Sequence, residues 1–522
     1  MKLTTQKNTW NELFTALTLS AVIVFTTFVW QGNTGFSLWD EGFLWYGAQR
    51  VMLGEVPLRD FMAYDPGRYY WSASFMSLIG NSGIIALRLS VDLFQTFGIF
   101  VGLLLIARTS KADSKYSITF LLLASIILSL WMFPRYKIFD LSLSIFLMGA
   151  LAFLVENPTP RRYFTAGACV GLAAFFGRNH GIYGVAGSLG VIAWLTIKPT
   201  NGPTLLQGSF FWALGIAIGF TPTLLMAIFI PGFGLAFWES IHLLFEMKTT
   251  NIPLPIPWPW TVSINSLPLI EAVRQLLIGG LFIGIVFFGV VSIAWITHQR
   301  FKNKDAPPAV VAASFLALPY AHYAYSRADI GHLAQGVFPF LMGCLALLSI
   351  QSNKKKWPLV LLLGAVSLWI MFTVQPGGQC LASKQCESVE ISGSILKIDP
   401  NTASDIFLLR KLTADYAPHG QNILVTPFWP GAYSLLERKS PMWTIYALWP
   451  RSTSFQQQEI DRIKAAAPQY ALVVDWALDG RDNLRFKNNY PLIYQFIQNN
   501  FYRLPDSPAP AYELYKAKEV KP

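Results

Sequence analysis

Residues 37–71 read SLWDEGFLWYGAQRVMLGEVPLRDFMAYDPGRYYW, a charged and aromatic stretch opened by Asp40 and Glu41, with Asp65 and Arg68 near its end. An aspartate held among aromatic rings and partly dehydrated is suited to accepting a proton from a hydroxyl. Three more stretches carry counter-charges. PRYKIFD (134–140) offers Lys137 and Asp140, GRNHG (177–181) offers Arg178 and His180, and YSRADIGHLAQG (325–336) offers Tyr325, Arg327, Asp329 and His332. Lys, Arg and His are the side chains that hold a phosphate and offset charge developing on a leaving group. Carboxylates facing such cations across one cavity would suit a transfer in which an anionic group departs as a hydroxyl attacks. Asp40, Glu41 and Asp140 could also supply oxygen ligands to a hard divalent cation, Mg or Mn. The many basic groups favour chemistry without one.

The elements that must position these residues are membrane spans. The chain has 522 residues, 53% apolar and 13% charged, with a mean hydropathy of +0.41. Soluble domains are about 25% charged. The apolar residues come in runs near 13–31, 84–107, 117–133, 139–155, 163–177, 181–197, 208–230, 276–297, 308–324, 333–350 and 357–374. Runs of about 20 residues predict a polytopic all-α membrane protein of about eleven transmembrane helices. The first span lacks a small-residue cleavage site and reads as a retained anchor.

Short basic segments set the orientation: Lys2 and Lys7, then 108–115, 157–162, 197–200, 298–305 and 353–356. The positive-inside rule puts these, and the N-terminus, in the cytoplasm. Loops 32–83, 134–138, 178–180, 231–275 and 325–332 then lie outside, with everything after residue 375, so all the candidate residues share one face. The net charge of +11 becomes a topology signal with affinity for anionic lipid. Nucleic acid is excluded as a partner, because no basic stripe interleaved with aromatics lies outside the spans.

Residues 1–375 therefore form a transmembrane domain that includes loops 32–83 and 231–275. Residues 376–394 form a linker in which Cys380 and Cys386 could close a disulfide in an oxidising compartment. Residues 395–522 alternate short β-branched runs (421–436, 468–478) with amphipathic ones (454–467, 490–501), the pattern of a small extracytoplasmic α/β domain. Arg88 with Asp92, and Glu271 with Arg274, have helical spacing and read as pairs that neutralise each other.

A sugar carried on a polyprenyl phosphate matches this layout, since its leaving group is an anion anchored in lipid. Cations would hold the phosphate while a carboxylate deprotonates the acceptor hydroxyl of a glycan, lipid or protein. A transporter or flippase of lipid-linked glycans would also place charges along a cavity, but the paired, broken repeats common in transporters are not visible here. A non-catalytic scaffold for envelope assembly is the third reading.

The pattern WDEG…YGAQRVMLGEVPLRDFMAYDPGRYY resembles the first outer loop of the GT-C glycosyltransferases, above all the group of protein O-mannosyltransferases and lipid A aminoarabinose transferases. FDLSLSIFLMGALAFLVENPTPRRYFTAGACVGLAAFFGRNHGIYGVAG is similar to that group's Asp-led span, basic turn and following Gly-rich span. Together these matches cover about the first 190 residues. The resemblance implies a GT-C fold and inverting transfer from a polyprenyl-phosphate sugar. It gives Asp40 the role of the catalytic aspartate with Glu41 its neighbour, gives Asp140 the second acidic position, and sets Arg178 where many members have Lys. DPGR (65–68) replaces the group's paired prolines and adds the cation Arg68, while the tryptophan-rich signature of oligosaccharyltransferases is absent.

Overall fold

The computed structural model describes residues 2–110, 117–198, 202–505 and 507–518, so the basic turns at 108–115 and 197–200 lie partly outside the described residues. The chain divides into two compact units, Met1–Gly32 with Arg88–Ala382, and Asn33–Leu87 with Ser383–Pro522.

In the first unit every apolar run becomes helix, because in lipid only a helix satisfies its own backbone. The helices are α1 (Lys2–Gln31), α4 (Ile84–Thr109, its first turn in the other unit), α5 (Ser117–Trp131), α6 (Ile138–Glu156), α7 (Pro160–Phe176), α8 (Arg178–Thr196), α9 (Leu205–Gly219), α10 (Thr221–Phe229), α11 (Phe233–Met247), α12 (Leu269–Phe301), α13 (Pro308–Ser326), α14 (Ile330–Ser349), α15 (Asn353–Phe372) and the short α16 (Pro376–Ser383). All eleven expected runs are helical. Among the described residues, six helices are long and apolar enough to cross a bilayer, or seven if α9 and α10, bent by 50°, make one span. Pro222 in the first turn of α10 removes a hydrogen bond at that bend. Phe14, Phe25, Leu206, Phe210 and Phe287 are largely exposed, as a lipid-facing surface requires.

Small residues let α7 and α9 touch backbone to backbone. A Cβ on Gly171 would lie 2.2 Å from the Ile216 carbonyl oxygen, and one on Gly215 would lie 2.1 Å from that of Phe164. Close approach of this kind substitutes for the hydrophobic effect inside a membrane. At the centre, α13 packs against α6, α8, α12 and α14 and carries Tyr320 on its buried face.

The second unit corrects the expected domain boundary. Loop 32–83, assigned by sequence to the transmembrane domain, packs with the C-terminal residues. It contains α2 (Asp40–Met52) and α3 (Gly67–Leu78). The later part contributes strands β1 (Glu387–Ile391), β2 (Ser394–Ile398), β3 (Leu424–Thr426), β4 (Tyr470–Val474), β5 (Phe501–Arg503) and β6 (Tyr512–Ala517), with helices α17 (Pro400–Tyr416), α18 (Pro430–Leu435), α19 (Thr453–Ala466), α20 (Phe486–Asn489) and α21 (Pro491–Asn500). Strands β1 and β2 form an antiparallel hairpin. The others form one sheet in the order β3-β4-β6-β5, with β3 parallel to β4 and the remaining pairs antiparallel. Leu424, Ile460, Ile463, Val473, Ile493 and Ile497 fill its core.

The loop joins this domain through backbone bonds: Gly35 N to Lys397 O and Lys397 N to Asn33 O at 2.8 Å each, and Met62 N to Trp443 O and Gly431 N to Leu38 O at 2.9 Å each. The contact of α2 with α18 depends on two glycines, since a Cβ on Gly42 would lie 2.5 Å from the Cα of Gly431. Hydropathy cannot report such long-range pairing, because it scores each segment alone. Cys380 and Cys386 are disulfide-bonded, whereas Cys169 and Cys344 are free.

Candidate functional site

Asp40 is the first residue of α2 and is half-buried. A carboxylate there meets the positive end of the helix dipole. Its backbone N–H donates to Ser37 Oγ at 3.3 Å, and its Oδ1 accepts from the hydroxyl of Tyr446 at 3.2 Å. Trp39, just before it, stacks on Phe428 with ring centroids 5.5 Å apart and packs on Trp476 at 4.9 Å. Phe43, one turn on, meets Tyr64 and Tyr446 edge to face. The aspartate thus stands in an aromatic frame built by both sequence segments of its unit.

The other charges of the first loop behave differently. Glu41, Asp65 and Arg68 are buried and partnered, with the Arg68 guanidinium 4.8 Å from the centre of the Tyr64 ring. Arg50 and Lys439 both bond Glu55. Burial pushes the Glu55 carboxyl up, but these two cations outweigh it and hold it below the usual range. Asp60 likewise falls below its ordinary value against a burial penalty, through Arg59 and the Val56 N–H. These pairs fold the loop.

In the first unit, Asp140 sits in the opening turn of α6. Gly177 separates α7 from α8, which brings His180 in the first turn of α8 to within 2.9 Å of it, Nε2 to Oδ1. The other ring nitrogen, Nδ1, is 2.7 Å from the Tyr320 hydroxyl. Asp140 is 2% exposed and the other two 0%. Tyr323 Oη lies 3.3 Å from the same Nε2. Tyr183 contacts this group through its ring and bonds His322 Nδ1 at 2.6 Å.

A second knot closes the α13–α14 connection. Asp329 caps α14, accepting the His332 N–H at 2.9 Å, the position Asp favours at a helix start. Its Oδ1 is also 2.8 Å from His332 Nδ1, and its Oδ2 accepts from Arg327 Nε at 2.9 Å. Burial raises the Asp329 carboxyl, yet His332 and then Arg327 hold it below the ordinary carboxylate range. Arg327 Nη1 donates to the Ile252 carbonyl at 3.1 Å, and Asn251 Nδ2 meets His332 Nε2 at 2.7 Å. Residues 251 and 252 are thereby tied to the start of α14. Gly331 lies beside Pro134, so this knot and the start of α6 occupy one end of the bundle.

Several expected roles change with this geometry. His180 and His332 have both ring nitrogens engaged by protein groups, so neither presents a nitrogen to a phosphate. Tyr325 donates to the Phe282 carbonyl at 2.7 Å, which anchors α13 to α12 instead of offering a substrate contact. Arg178 donates to Ser240 Oγ at 2.9 Å and lies over Phe237 at 5.0 Å, so it holds α11. Lys137 is half-buried with its ammonium 5.8 Å from the Tyr136 ring centre. Arg274 and Glu271 form the expected pair at 3.3 Å, while buried Arg88 bonds the Gly32 carbonyl at 2.7 Å. Among the described residues no three His, Cys, Asp or Glu side chains cluster closely enough to hold a metal ion.

Sequence reasoning missed Tyr446, Tyr320, Tyr323, Tyr183, His322 and Asn251. The run PYAHYAYS (319–326) held a signal, a polar residue at almost every other place in an apolar segment. Tyr446 had none, because nothing local marks a tail residue that reaches a loop 406 positions earlier.

No protein-family model matches the chain, and no curated protein matches it. Solved structures do. ArnT from Cupriavidus metallidurans in the apo state superposes with a TM-score of 0.56 at 15% identity, over 95% of this chain and 96% of that one. ArnT from the same organism bound to undecaprenyl phosphate gives 0.55 at 14% identity, over 97% and 98%. At such identities the likeness is one of fold. The chain is a polytopic membrane protein with the GT-C fold that ArnT has.

Proposed function

We propose that this protein is an inverting glycosyltransferase. It moves a sugar from a polyprenyl-phosphate donor to an acceptor hydroxyl at the outer face of the cytoplasmic membrane. The observation that carries the reading is Asp40, a half-buried carboxylate at a helix start with a single phenol on Oδ1, on a fold shared with a protein captured with undecaprenyl phosphate.

Asp40 takes the proton of the acceptor hydroxyl as its oxygen attacks the anomeric carbon. The bond from that carbon to the phosphate oxygen breaks, and the polyprenyl phosphate leaves with the electron pair. Lys137, half-buried just before α6, is the cation that balances the phosphate. Asp140 keeps a negative charge that offsets the oxocarbenium-like charge growing on the sugar. The N-terminus is cytoplasmic and the unit holding Asp40 extracytoplasmic, as the placement of Lys and Arg requires.

The test uses purified full-length protein in lipid nanodiscs with a panel of synthetic undecaprenyl-phosphate sugars (mannose, glucose, galactose, 4-amino-arabinose). Release of undecaprenyl phosphate, lost in Asp40→Asn with melting unchanged, supports the reading. Movement of the labelled lipid between leaflets without sugar release would instead make the protein a flippase. Binding of an envelope component with neither would make it a scaffold.

A further inference from the structure

Buried ionisable groups inside a membrane bundle are costly and are kept where they serve a site. Asp140, His180 and Tyr320 come from three different helices and are essentially without solvent. Apolar residues packed there would leave the fold no less stable than these buried polar groups do. Their geometry is directional. If the carboxylate is ionised it only accepts, and Nε2 is then the donor in the 2.9 Å contact between His180 and Asp140. That fixes which way the imidazole faces, and the Tyr320 hydroxyl on Nδ1 locks the ring from behind. The order carboxylate, imidazole, phenol runs from α6 through α8 to α13.

We infer that His180 and Tyr320 are positioning residues, which hold the Asp140 carboxylate in one orientation as a fixed anion. This rests on the glycosyl-transfer reading for what Asp140 does, though not for how it is held. The imidazole meets the carboxylate at Oδ1, 2.9 Å away, and a misplacement of about 1 Å costs roughly 100-fold in rate. Tyr183 stands beside the ring and Tyr323 near Nε2. The hydroxyl 2.7 Å from Nδ1 is that of Tyr320.

The experiment compares His180→Leu, His180→Gln and Tyr320→Phe, using whichever donor of the panel the wild type cleaves. In His180→Leu, kcat falls roughly 100-fold while KM stays within about threefold. His180→Gln, whose amide can still donate to the carboxylate, recovers about tenfold of that loss, and Tyr320→Phe loses about tenfold. Equal losses in the Leu and Gln variants, with KM rising in step, would overturn the inference, and so would wild-type rates in all three.

A second readout does not need turnover. The infrared difference between wild type and Asp140→Asn isolates the Asp140 carboxylate stretch. That band moves in His180→Leu and stays put in Gly280→Ala, a site with open space around it. An unmoved band in His180→Leu overturns the inference. Wild-type protein that cleaves no donor overturns the glycosyl-transfer reading instead, and leaves the infrared result to decide how Asp140 is held.

Discussion

Asp40 and Asp140 both sit in the first turn of a helix, in surroundings of opposite kind. Asp40 is half-buried in an aromatic frame, with a single phenol on Oδ1. Asp140 is sealed in the bundle, with an imidazole on Oδ1 and a second phenol behind that ring. A base must meet its proton donor and later release the proton, so it needs access. A group whose service is its charge needs orientation and dehydration, because dry surroundings strengthen its field and a fixed direction avoids reorganisation. On the proposed glycosyl-transfer reading, this contrast suits Asp40 to proton transfer and Asp140 to electrostatics.

The strongest way to break that assignment is to neutralise each acid in turn. Asp40→Asn removes the base and lowers kcat by roughly 100- to 10,000-fold, the range general-base catalysis contributes. Asp140→Asn keeps a hydrogen-bond acceptor for His180 while losing the charge, and falls by about 100-fold. Steady-state rates of both, beside their melting curves, decide the matter. If Asp140→Asn is the more damaging, the two roles are reversed.

The next effect concerns how Asp40 is held. A Cβ on Gly42 would meet the Cα of Gly431 at 2.5 Å, which neither backbone can yield cheaply. Gly42→Val should destabilise the unit by about 3 kcal/mol, as overpacking does, and should expose the loop to protease along with the C-terminal residues. Gly280→Ala, in open space on α12, should leave both units intact. Cleavage confined to the loop would mean that the loop and tail do not fold together.

The two acids also differ in how far sequence revealed them. Asp140 and His180 were visible as polar residues at the ends of apolar runs, and Asp40 as the start of a charged loop. The helical nature of every apolar run and the alternating pattern of the tail were equally legible, because periodicity and run length are local properties. Partners were not. Arg327, Asp329 and His332 looked like substrate groups, yet Asp329 is a helix cap and the other two are bound to it. The union of loop 33–87 with the tail depends on Gly42 facing Gly431, a match between positions that no window of sequence contains.

A smaller test sharpens the picture of Asp40. Tyr446→Phe removes the phenol on Oδ1 and keeps the ring that packs on Phe43 and Phe428. One hydrogen bond to a charged group is worth about 1.5–3 kcal/mol at most, and half-exposure lets water replace part of it. The rate should change about threefold to tenfold with little loss of stability. A loss as large as that of Asp40→Asn would make Tyr446 itself the proton acceptor's partner in the reaction.

The smallest effect lies at the far end of the aromatic frame. Trp476, which packs on Trp39, also packs on Tyr512, and the Tyr512 hydroxyl donates to Asp405 Oδ1 at 2.8 Å. Burial pushes the Asp405 carboxyl up from 3.8 to about 6, the tyrosine only partly opposing it. A folded-state value above the unfolded one means that the native unit holds this proton more tightly. The stability it contributes is fully present below pH 3.8 and is lost as pH rises through about 6. Asp405 is half-exposed, so solvent screening trims the effect to about 1 kcal/mol. Urea melts at pH 4 and pH 7 should show the wild type losing about that much more than Asp405→Asn between the two. Parallel losses in the two proteins would mean that Asp405 is not held as its contact with Tyr512 implies, and the frame around Asp40 would then end at Trp476.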